Sequence, residues 1–563
     1  MRIAIAQLDP VIGAFDENVK KIQEAYAKAC AAKAALLLTP EMGICGYPPH
    51  DLVERPEIFE RCEKALETLR QLTQGQDTAL VVGYVGRNPA PGGRHAQNVV
   101  SILSGGKVAF TQAKTLLPTY DVFDEARYFE PAQSASLWDF NGTPTAVAIC
   151  EDLWAGDPAL KRSIYRNDPL EQYRTQGPRL LISISASPYE WGKRARREEL
   201  HSKIAQDLKV PLVYVNQVGA NDEILFDGGS FALDAKGKLL GRMPFFKTGF
   251  SVVEVDTQAD GPVFKGDIEM QAPSEIEILH RGLVVGIRNY FERTGFKTAI
   301  LGLSGGIDSA VVAALAVEAL GPKNILGVAM PSQFSSSGSL ADAEALAKNL
   351  GMALEVKPIK FLYSTLSREL SERRGELAPI ALENLQSRLR GLTLMTLANH
   401  YQALVLTTGN KSELATGYCT LYGDMCGALC PIGDIFKTRV YELARHMNGL
   451  AQKSGGFPIP ESSLTKAPSA ELRPNQTDQD TLPPYELLDA LLEDYLERGM
   501  DLAEIHRKFD AAPGAPGPNW VSDTLKKVEI NEYKRRQSAP VLKASTKAFG
   551  IGRRVPIANA WQV

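Results

Sequence analysis

The sequence predicts an α/β protein made of two consecutive domains. Over residues 2–255, short apolar runs such as IAIAQ, ALVVGYV and LLISIS alternate with polar segments of helical periodicity, and a second alternation follows residue 298. A chain of 563 residues is too long for one core, because single hydrophobic cores stop growing at roughly 250–300 residues. We therefore expect two α/β domains of similar size.

The strands of the two domains are expected to pair differently. In the first domain, residues 98–103 and 107–112 flank a Ser-Gly-Gly turn, and residues 229–233 precede the run 238–241. Both pairs predict antiparallel hairpins, so the sheet should be mixed. In the second domain, the runs TAILGL, LGVAM and ALVLTT predict buried strands of a doubly wound parallel sheet.

A domain boundary is expected within residues 256–274. This stretch, DTQADGPVFKGDIEMQAPS, loses hydrophobic periodicity and gathers glycine, proline and acidic residues. A helical segment follows at residues 275–293 and leads into the run TAILGL. We therefore place the two domains at residues 1–256 and 275–563.

The composition favours small-molecule chemistry in the cytoplasm. A net charge of −4, from 62 basic and 66 acidic residues, provides no overall field for binding nucleic acid or an anionic membrane. Seven scattered cysteines do not resemble a disulfide framework. The N-terminus enters a strand-like run without a signal-peptide layout, and no apolar stretch reaches about 18 residues. We expect a cytoplasmic protein without nucleic-acid or membrane partners.

The strongest motif lies between an apolar strand and an apolar helix. Adjacent glycines let the backbone approach an anion, hydroxyls add hydrogen-bond donors, and a helix N-terminus supplies unpaired N–H groups. A carboxylate in the loop is a candidate ligand for Mg²⁺. A turn that merely connects strand to helix is the alternative reading. The predicted ATP-binding residues of the motif are Gly302, Leu303, Ser304, Gly305, Gly306, Ile307, Asp308 (the carboxylate) and Ser309.

This loop lacks the lysine of a GxxxxGK[ST] phosphate loop, so phosphoryl transfer of that type is not implied. It resembles the pyrophosphatase loop of the N-type ATP-cleaving enzymes. That resemblance implies cleavage of ATP between its α- and β-phosphates. A substrate carboxyl or carbonyl group would be adenylated, and a nitrogen or sulfur nucleophile would then displace AMP.

Further motifs over residues 275–563 look like the NAD synthetases: MPSQFSSS, ENLQSRLRG, TTGNKSE, YGD and NEYKRRQ. The resemblance implies deamido-NAD as the substrate that is amidated. Singly, ENLQSRLR is also an ordinary charged helix face and KRR a solvated charge run. The chain differs from the shorter, ammonia-using members at Leu421, where they carry lysine, and over the less polar segment 425–431.

Site residues carry over from these motifs by position. The resemblance implies ATP contacts at Thr408, Lys437 and Ser469, and Mg²⁺ shared by Asp308 and Glu413. The residues implied for deamido-NAD are Asn384, Arg388, Glu413, Tyr418 and Lys534. Three thiols at residues 419, 426 and 430 lack the spacing of a metal site, and we predict none there.

The N-terminal half contains a candidate nucleophile and two charged partners. Cys150 ends the buried run AVAIC, Glu41 follows LLLTP, and Lys114 follows the first hairpin. Each residue alone is more typical of a buried thiol, a strand-end acid or a surface lysine. In this order the three resemble nitrilase-type carbon–nitrogen hydrolases, which implies a four-layer αββα sandwich over roughly residues 2–255.

The same resemblance implies a glutaminase. Glu41 would act as general base, Cys150 would attack the glutamine side-chain amide, and Lys114 would stabilise the oxyanion. The residues implied to hold glutamine are Tyr120, Ser187 and Lys193.

Together the two resemblances predict a carbon–nitrogen ligase with glutamine, deamido-NAD and ATP as substrates. Ammonia from glutamine would pass internally to the second domain and amidate an adenylated deamido-NAD to give NAD. The family implies a homo-oligomer, either a dimer or a larger assembly such as an octamer. Two alternatives remain open: a different ATP-pyrophosphatase amidotransferase, and a catalytically silent nucleotide sensor.

Overall fold

The protein is described by a computed structural model that covers residues 1–156, 165–255, 264–371, 375, 377–452, 456 and 458–560. Two compact units divide the chain, Met1–Gly282 and Leu283–Val563. Residues 256–263 of the expected boundary, which include the predicted end of the first domain at 256, lie outside the described residues. Residues 561–563, at the predicted end of the second domain, also lie outside them.

The first unit contains two mixed β-sheets and flanking helices. Its strands are β1 Arg2–Gln7, β2 Leu36–Leu38, β3 Ala79–Arg87, β4 Ala96–Ser104, β5 Lys107–Ala113, β6 Leu137–Phe140, β7 Thr143–Ile149, β8 Leu180–Ser185, β9 Leu212–Asn216, β10 Val218–Asn221, β11 Ile224–Asp227, β12 Phe231–Leu233, β13 Leu239–Arg242, β14 Gly249–Glu254 and β15 Phe264–Gly266. Its helices are α1 Phe15–Ala31, α2 Pro56–Leu72, α3 Glu125–Tyr128, α4 Pro169–Gln176 and α5 Lys193–Leu208.

One sheet has the order β15-β14-β1-β2-β3-β4-β5 and the other β13-β12-β9-β8-β7-β6. Strands β1, β2 and β3 pair in parallel, as do β7, β8 and β9, and the edge strands pair antiparallel. The two predicted hairpins are confirmed as β4–β5 and β12–β13. Both sheets are therefore mixed, as the sequence predicted.

Alternating side chains of the strands build the layers of this unit. Ile3 and Ile5 of β1 share one core with Ile182 of β8 and Val213 of β9, which fills the space between the sheets. On its other face, the first sheet packs on apolar side chains of α1 and α2, and the second on those of α4 and α5. The result is the four-layer αββα sandwich that the resemblance implied.

The second unit is built on a parallel sheet. Its strands are β16 Ala299–Gly302, β17 Ile325–Ala329, β18 Ala353–Val356 and β19 Leu404–Val405. The helices of the C-terminal half are α6 Glu275–Thr294, which begins before the end of the first unit, α7 Ile307–Leu320, α8 Ser337–Leu350, α9 Lys360–Ser371, α10 Pro379–Tyr401, α11 Lys411–Thr416, α12 Lys437–Gln452, α13 Glu461–Thr465, α14 Tyr485–Leu492, α15 Leu502–Phe509, α16 Trp520–Ile530 and α17 Glu532–Arg535.

The strand order of this sheet, β18-β17-β16-β19, reverses direction at β16. All its pairs are parallel. In open parallel sheets, ligands bind beyond the carboxyl ends of the strands at such a switch point. The loop after β16 and the segment after β19 lie at this edge, where the sequence placed the ATP motif. Among the described helices, none is long and apolar enough to cross a membrane.

Candidate active sites

Three charged side chains form a buried cluster in the first unit. Lys114 follows β5, and its ammonium nitrogen lies 2.8 Å from Glu41 Oε1 and 2.7 Å from Glu125 Oε1. These side chains are 1%, 1% and 4% exposed for Lys114, Glu41 and Glu125. Charge-assisted hydrogen bonds to both carboxylates hold the ammonium in one position.

Further hydrogen bonds fix the two carboxylates. Glu41 Oε1 accepts from the Asn98 side chain at 2.7 Å, and Glu41 Oε2 accepts from the Ala186 backbone N–H at 2.8 Å. Glu125 Oε1 accepts from the Tyr47 hydroxyl at 2.8 Å. Burial raises the pKa of Glu125 to about 7, although Lys114 opposes the rise. Glu125 thus changes charge close to neutral pH.

Cys150 lies at the start of a short 3₁₀ turn, Cys150–Leu153, directly after β7. Its φ of 44° falls in the left-handed region, which is uncommon for a residue with a side chain. Burial raises the pKa of its thiol well above the usual value, Glu41 adds to the rise, and Lys114 opposes it. The thiol is therefore protonated at neutral pH and needs a base before it can attack. The structure brings Cys150 close to Glu41 and Lys114, which both act on its thiol.

Two of the residues expected to hold glutamine, Tyr120 and Lys193, lie close enough to this thiol to interact electrostatically with it. The Tyr120 hydroxyl donates to Glu151 Oε1 and Oε2 at 2.9 and 3.1 Å, and the Tyr165 hydroxyl donates to Glu151 Oε1 at 2.6 Å. Glu151 is the neighbour of Cys150, so Tyr120 lies beside the nucleophile. The Lys193 ammonium also acts on this thiol, since its charge opposes the rise of the Cys150 pKa.

Ser187 lies two residues beyond β8, whose Ile184 pairs in register with Ile149 of β7. Its position is fixed because its backbone N–H donates to Asn216 Oδ1 at 2.8 Å. The Lys193 ammonium donates to the Pro188 carbonyl at 3.1 Å and lies 5.2 Å from the centre of the Trp154 ring. Ser187 and Lys193 therefore sit at the same end of the parallel strands as Cys150.

The loop after β16 is shaped by a close backbone approach. Gly305 has φ of 77°, and a Cβ atom there would lie 2.4 Å from the Ser339 carbonyl oxygen. The hydroxyl of Ser309 donates to the Gly306 carbonyl at 3.0 Å, and the backbone N–H of Gly306 donates to Ser304 Oγ at 3.2 Å. The helix after the loop, α7, begins at Ile307, so its free N–H groups face the loop. This geometry suits a phosphate-binding turn.

Two carboxylates meet one ammonium beside this loop. The ammonium nitrogen of Lys437 lies 2.5 Å from Asp308 Oδ2 and 3.3 Å from Glu413 Oε1. The Asn410 side-chain amide donates to Asp308 Oδ1 at 3.0 Å, and Asn410 Oδ1 accepts from the Glu413 backbone N–H at 3.0 Å. Burial raises the pKa of Glu413 to about 8, with Lys437 opposing and Asp308 adding to the rise.

This carboxylate pair fits a magnesium ion. Mg²⁺ takes one or two protein carboxylates and completes its octahedron with water and substrate phosphates. Asp308 and Glu413 supply such a pair beside a phosphate-binding loop. Within the described part of the chain, no group of three or more His, Cys, Asp or Glu side chains could hold a metal ion by itself.

The residues expected to bind deamido-NAD surround one segment, residues 417–421. Asn384 Oδ1 accepts from the Thr420 hydroxyl at 2.9 Å, and Arg388 Nε donates to the Leu421 carbonyl at 3.2 Å. The Lys534 ammonium donates to the carbonyls of residues 417 and 419 at 2.8 and 2.9 Å. Tyr418 belongs to this segment. The structure thus gathers residues from α10, α17 and the loop after α11.

The other two predicted ATP contacts are placed by loops. Thr408 lies three residues beyond β19 at the switch-point edge of the sheet. Ser469 belongs to a loop that its own hydroxyl stabilises, because it donates to the Gln476 carbonyl at 2.5 Å.

Sequence reasoning missed three residues of these sites: Glu125, Glu151 and Asn410. Glu125 is the last residue of the stretch KTLLPTYDVFDE, which begins with Lys114, and Glu151 is adjacent to Cys150. Asn410 stands inside TTGNKSE, directly before α11, where a capping asparagine is expected. All three residues lie within or beside motifs that the sequence singled out. Their contacts with the other site residues depend on the three-dimensional course of the loops that carry them.

The fold and the two clusters define the class of the chain, a carbon–nitrogen hydrolase joined to an ATP-binding synthetase. A family model of carbon–nitrogen hydrolases matches residues 2–261, and one of NAD synthases matches residues 279–538. The chain is 44% identical to the glutamine-dependent NAD(+) synthetase of Synechocystis, over 99% of each chain, and 37% identical to that of Thermotoga maritima, over 100% of this chain and 99% of the relative. The chain belongs to the glutamine-dependent NAD(+) synthetase family.

Two solved structures share the fold of this chain. The glutamine-dependent NAD(+) synthetase of Acinetobacter baumannii, solved in complex with ADP, is 35% identical to this chain with a TM-score of 0.76. The match covers 100% of this chain and 99% of that enzyme. The enzyme of Cytophaga hutchinsonii, at 21% identity and a TM-score of 0.80, shares the fold over 100% of this chain and 98% of its own.

Proposed function

We propose that the first unit hydrolyses glutamine to glutamate and ammonia, and that the second unit uses ATP and this ammonia to convert deamido-NAD to NAD. The observation that carries the proposal is the position of Cys150 beside the buried Lys114–Glu41 pair in a chain of this family. The phosphate-binding loop and the Asp308–Glu413 pair support the second half-reaction.

Glutamine hydrolysis begins with proton transfer. Glu41 takes the proton of the Cys150 thiol, and the sulfur attacks the side-chain amide carbon of glutamine. The Lys114 ammonium stabilises the negative charge that develops on the amide oxygen. The C–N bond breaks as the nitrogen takes the proton from Glu41, which leaves ammonia and a thioester. Glu41 then takes a proton from water, which attacks the thioester and releases glutamate while the thiol regains its proton.

Charge complementarity explains the choice of glutamine. Free glutamine carries an α-ammonium and an α-carboxylate group besides its amide. Glu151, beside Cys150, provides a carboxylate for the α-ammonium group, and Tyr120 orients that carboxylate by hydrogen bonding. Lys193 provides a cation for the α-carboxylate group, and the Ser187 hydroxyl provides a further polar contact.

Synthesis of NAD follows from the second site. The loop Gly302–Ser309 and the N-terminus of α7 bind the ATP phosphates, with Thr408, Lys437 and Ser469 as further contacts. Asp308 and Glu413 would hold Mg²⁺, which would neutralise phosphate charge. The nicotinate carboxylate of deamido-NAD attacks the α-phosphorus and pyrophosphate leaves. Ammonia then attacks the adenylated carbonyl, and AMP leaves.

Deamido-NAD is assigned to the surface around residues 417–421. Its two phosphates and its nicotinate carboxylate are anionic, and Arg388 and Lys534 supply cations. Asn384 and Tyr418 supply hydrogen-bonding groups, and Glu413 links this surface to the Asp308 carboxylate at the ATP site.

We assign a homo-oligomeric state, a dimer or a larger assembly such as an octamer. Support comes from exposed apolar side chains on α9 and α10. Phe361 and Leu370 of α9 are 71% and 56% exposed, and Leu392 of α10 is 63% exposed. A second copy of the chain would remove this surface from water. All seven cysteines are free thiols, which supports a cytoplasmic location. The net charge of −4 supports our proposal that the chain binds neither nucleic acid nor a membrane.

The experiment is an assay of NAD formation from deamido-NAD and Mg-ATP with either glutamine or ammonium as nitrogen donor. We expect the native chain to use both donors, and the Cys150→Ala variant to use ammonium alone. If the native chain makes no NAD from either donor, another ATP-pyrophosphatase amidotransferase becomes the better description. Nucleotide binding without AMP release would indicate a silent sensor.

A further inference from the structure

Asp152 is a buried carboxylate that the reaction scheme above does not use. It is the third residue of the turn that begins with Cys150, and it is 1% exposed. A carboxylate at such a depth is costly unless hydrogen bonds satisfy both of its oxygens. The groups that donate hydrogen bonds to Asp152 therefore indicate its role.

Three backbone N–H groups donate to this carboxylate. Asp152 Oδ1 accepts from Thr115 and from Leu116, each at 2.9 Å. Asp152 Oδ2 accepts from Ile149 at 3.1 Å. Thr115 directly follows Lys114, and Ile149 directly precedes Cys150. One side chain thus ties the peptide that carries the catalytic lysine to the peptide that carries the nucleophile.

The charge of Asp152 is needed for this link. Burial raises its pKa to about 6, while the N–H of Leu116, the Lys114 ammonium and the other two N–H groups oppose the rise. The carboxylate is therefore ionised at neutral pH and can accept on both oxygens. An asparagine has the same shape but one acceptor oxygen, and its NH₂ group would face an N–H donor on one side. One of the two peptides would then lose its hydrogen bond.

Both peptides need this support. Cys150 adopts a φ of 44°, a conformation that persists only when the surroundings hold it. The Lys114 head is held by Glu41 and Glu125, and its own N–H donates to the Asn98 carbonyl at 2.8 Å, which ties it to β4. Asp152 adds the connection from Lys114 to β7 and its turn.

We propose that Asp152 is a positioning residue that holds Lys114 and Cys150 at their working separation for glutamine hydrolysis. The inference rests on the proposed glutaminase function. Asp152 acts through these two residues and does not contact glutamine. Misplacement of a catalytic group by about 1 Å can cost about 10²-fold in rate.

The test compares the full-length native chain with Asp152→Asn. Steady-state glutamine hydrolysis gives kcat and KM separately, and ammonium-driven NAD formation reports on the second unit. Alkylation of the Cys150 peptide by iodoacetamide, followed by mass spectrometry across a pH series, reports on the thiol. The charged groups that act on this thiol are Glu41, Lys114, Glu151 and Lys193.

We expect kcat for glutamine to fall about 10²-fold with KM nearly unchanged, because the reacting groups are displaced while the glutamine contacts remain. The alkylation profile should move to higher pH, because a displaced Lys114 no longer lowers the pKa of Cys150. Ammonium-driven NAD formation should be retained. A role in stability alone would lower the unfolding temperature without moving the alkylation profile.

The matched control is Asp234→Asn. Asp234 Oδ1 also accepts from two backbone N–H groups, those of Lys236 and Lys238 at 2.8 and 2.9 Å, in an exposed turn of the same unit. This control should match the native chain in every assay. If Asp152→Asn does not fold, Asp152→Ser, which keeps one acceptor and removes the charge, supplies the comparison.

Native kcat together with a native alkylation profile in the folded variant overturns the inference. Failure of the proposed function looks different, because the native chain itself would then hydrolyse no glutamine. The alkylation profiles would still decide whether Asp152 sets the environment of Cys150.

Discussion

The ammonium of Lys114 is shared between Glu41 and Glu125, and the Asn98 side-chain amide donates to Glu41 Oε1 at 2.7 Å and to Glu125 Oε2 at 3.5 Å. Glu41 Oε2 also accepts from the Ala186 backbone N–H at 2.8 Å. These contacts hold Glu41 in one orientation, with Oε1 bonded to Lys114 and Oε2 bonded to the Ala186 N–H directly after β8. Such an orientation suits a base that takes a proton from Cys150 and later returns it.

Replacement of this base tests its role. We expect Glu41→Gln to lower kcat for glutamine hydrolysis by about 10³-fold, since positioned general acid–base groups contribute about 10²–10⁴-fold. Ammonium-driven NAD formation should be retained. Glu63→Gln is the control, because Glu63 is an exposed carboxylate paired with Arg87. Equal glutaminase rates for native chain and Glu41→Gln would contradict the assignment.

The sequence placed the three main groups of the first site because each follows a strand. Glu41 and Cys150 end apolar runs that predict buried strands, and Lys114 follows the predicted first hairpin. The structure places them after β2 and β5 of one sheet and after β7 of the other. Glu125 was missed because its contact requires the loop after Lys114 to turn back over 11 residues. No periodicity in the sequence encodes that turn.

The second site shows the same division. The glycine-rich loop was recognisable because glycines, hydroxyls and a following helix are local features. The contact between Lys437 and Asp308 spans 129 residues and depends on the packing of α12 against α7. Resemblance to known enzymes suggested both residues for this site, but the ion pair between them required the structure.

A pH dependence of stability follows from Glu125. Its pKa is about 7 in the folded state, above the ordinary value of 4.5, so the folded chain keeps the proton while the unfolded chain loses it. The stability that this proton provides is complete below pH 4.5 and is lost as the pH rises to about 7. Glu125→Gln, which is always neutral, should avoid this loss.

Thermal unfolding of the native chain and Glu125→Gln across this range measures the effect. We expect the unfolding temperature of the native chain, relative to the variant, to fall between pH 4.5 and about 7 and to stay level above it. A relative unfolding temperature that rises with pH over this window would contradict the raised pKa.

Asn410 should orient the carboxylate pair of the second site. Its amide donates to Asp308, and its carbonyl oxygen caps α11. We expect Asn410→Ala to lower NAD formation with either nitrogen donor about tenfold, since a hydrogen bond to a charged group contributes about 1.5–3 kcal/mol. Weaker binding of Mn²⁺ with ATP, measured by electron paramagnetic resonance, should accompany the loss.

Asn410→Ser separates the two roles of this residue. Serine is also a good N-cap, so the start of α11 should be retained, but serine does not carry the amide donor for Asp308. We expect the serine variant to unfold like the native chain and to lose activity like the alanine variant. Native activity in the serine variant would assign Asn410 to helix capping alone.

The last prediction concerns Gly305 in the phosphate-binding loop. Gly305→Ala should abolish NAD formation with both nitrogen donors, because the added Cβ would lie 2.4 Å from the Ser339 carbonyl at a φ of 77°. Relief of that contact would move the loop away from α8. Glutamine hydrolysis belongs to the first unit and should continue. The measurement is ATP affinity by calorimetry together with both activities.

Gly321→Ala distinguishes the close contact from backbone strain. Gly321 ends α7 with a similar φ of 84°, but an added Cβ meets nothing within 4 Å in the described structure. Gly321 also has ψ of 148°, a positive-φ extended conformation that is nearly restricted to glycine, so this variant should bear only that backbone strain, about 1–3 kcal/mol, and bind ATP as the native chain does. If both variants lost ATP binding equally, strain alone would explain the effect; if only Gly305→Ala does, the packing of the loop against Ser339 is what shapes the phosphate site.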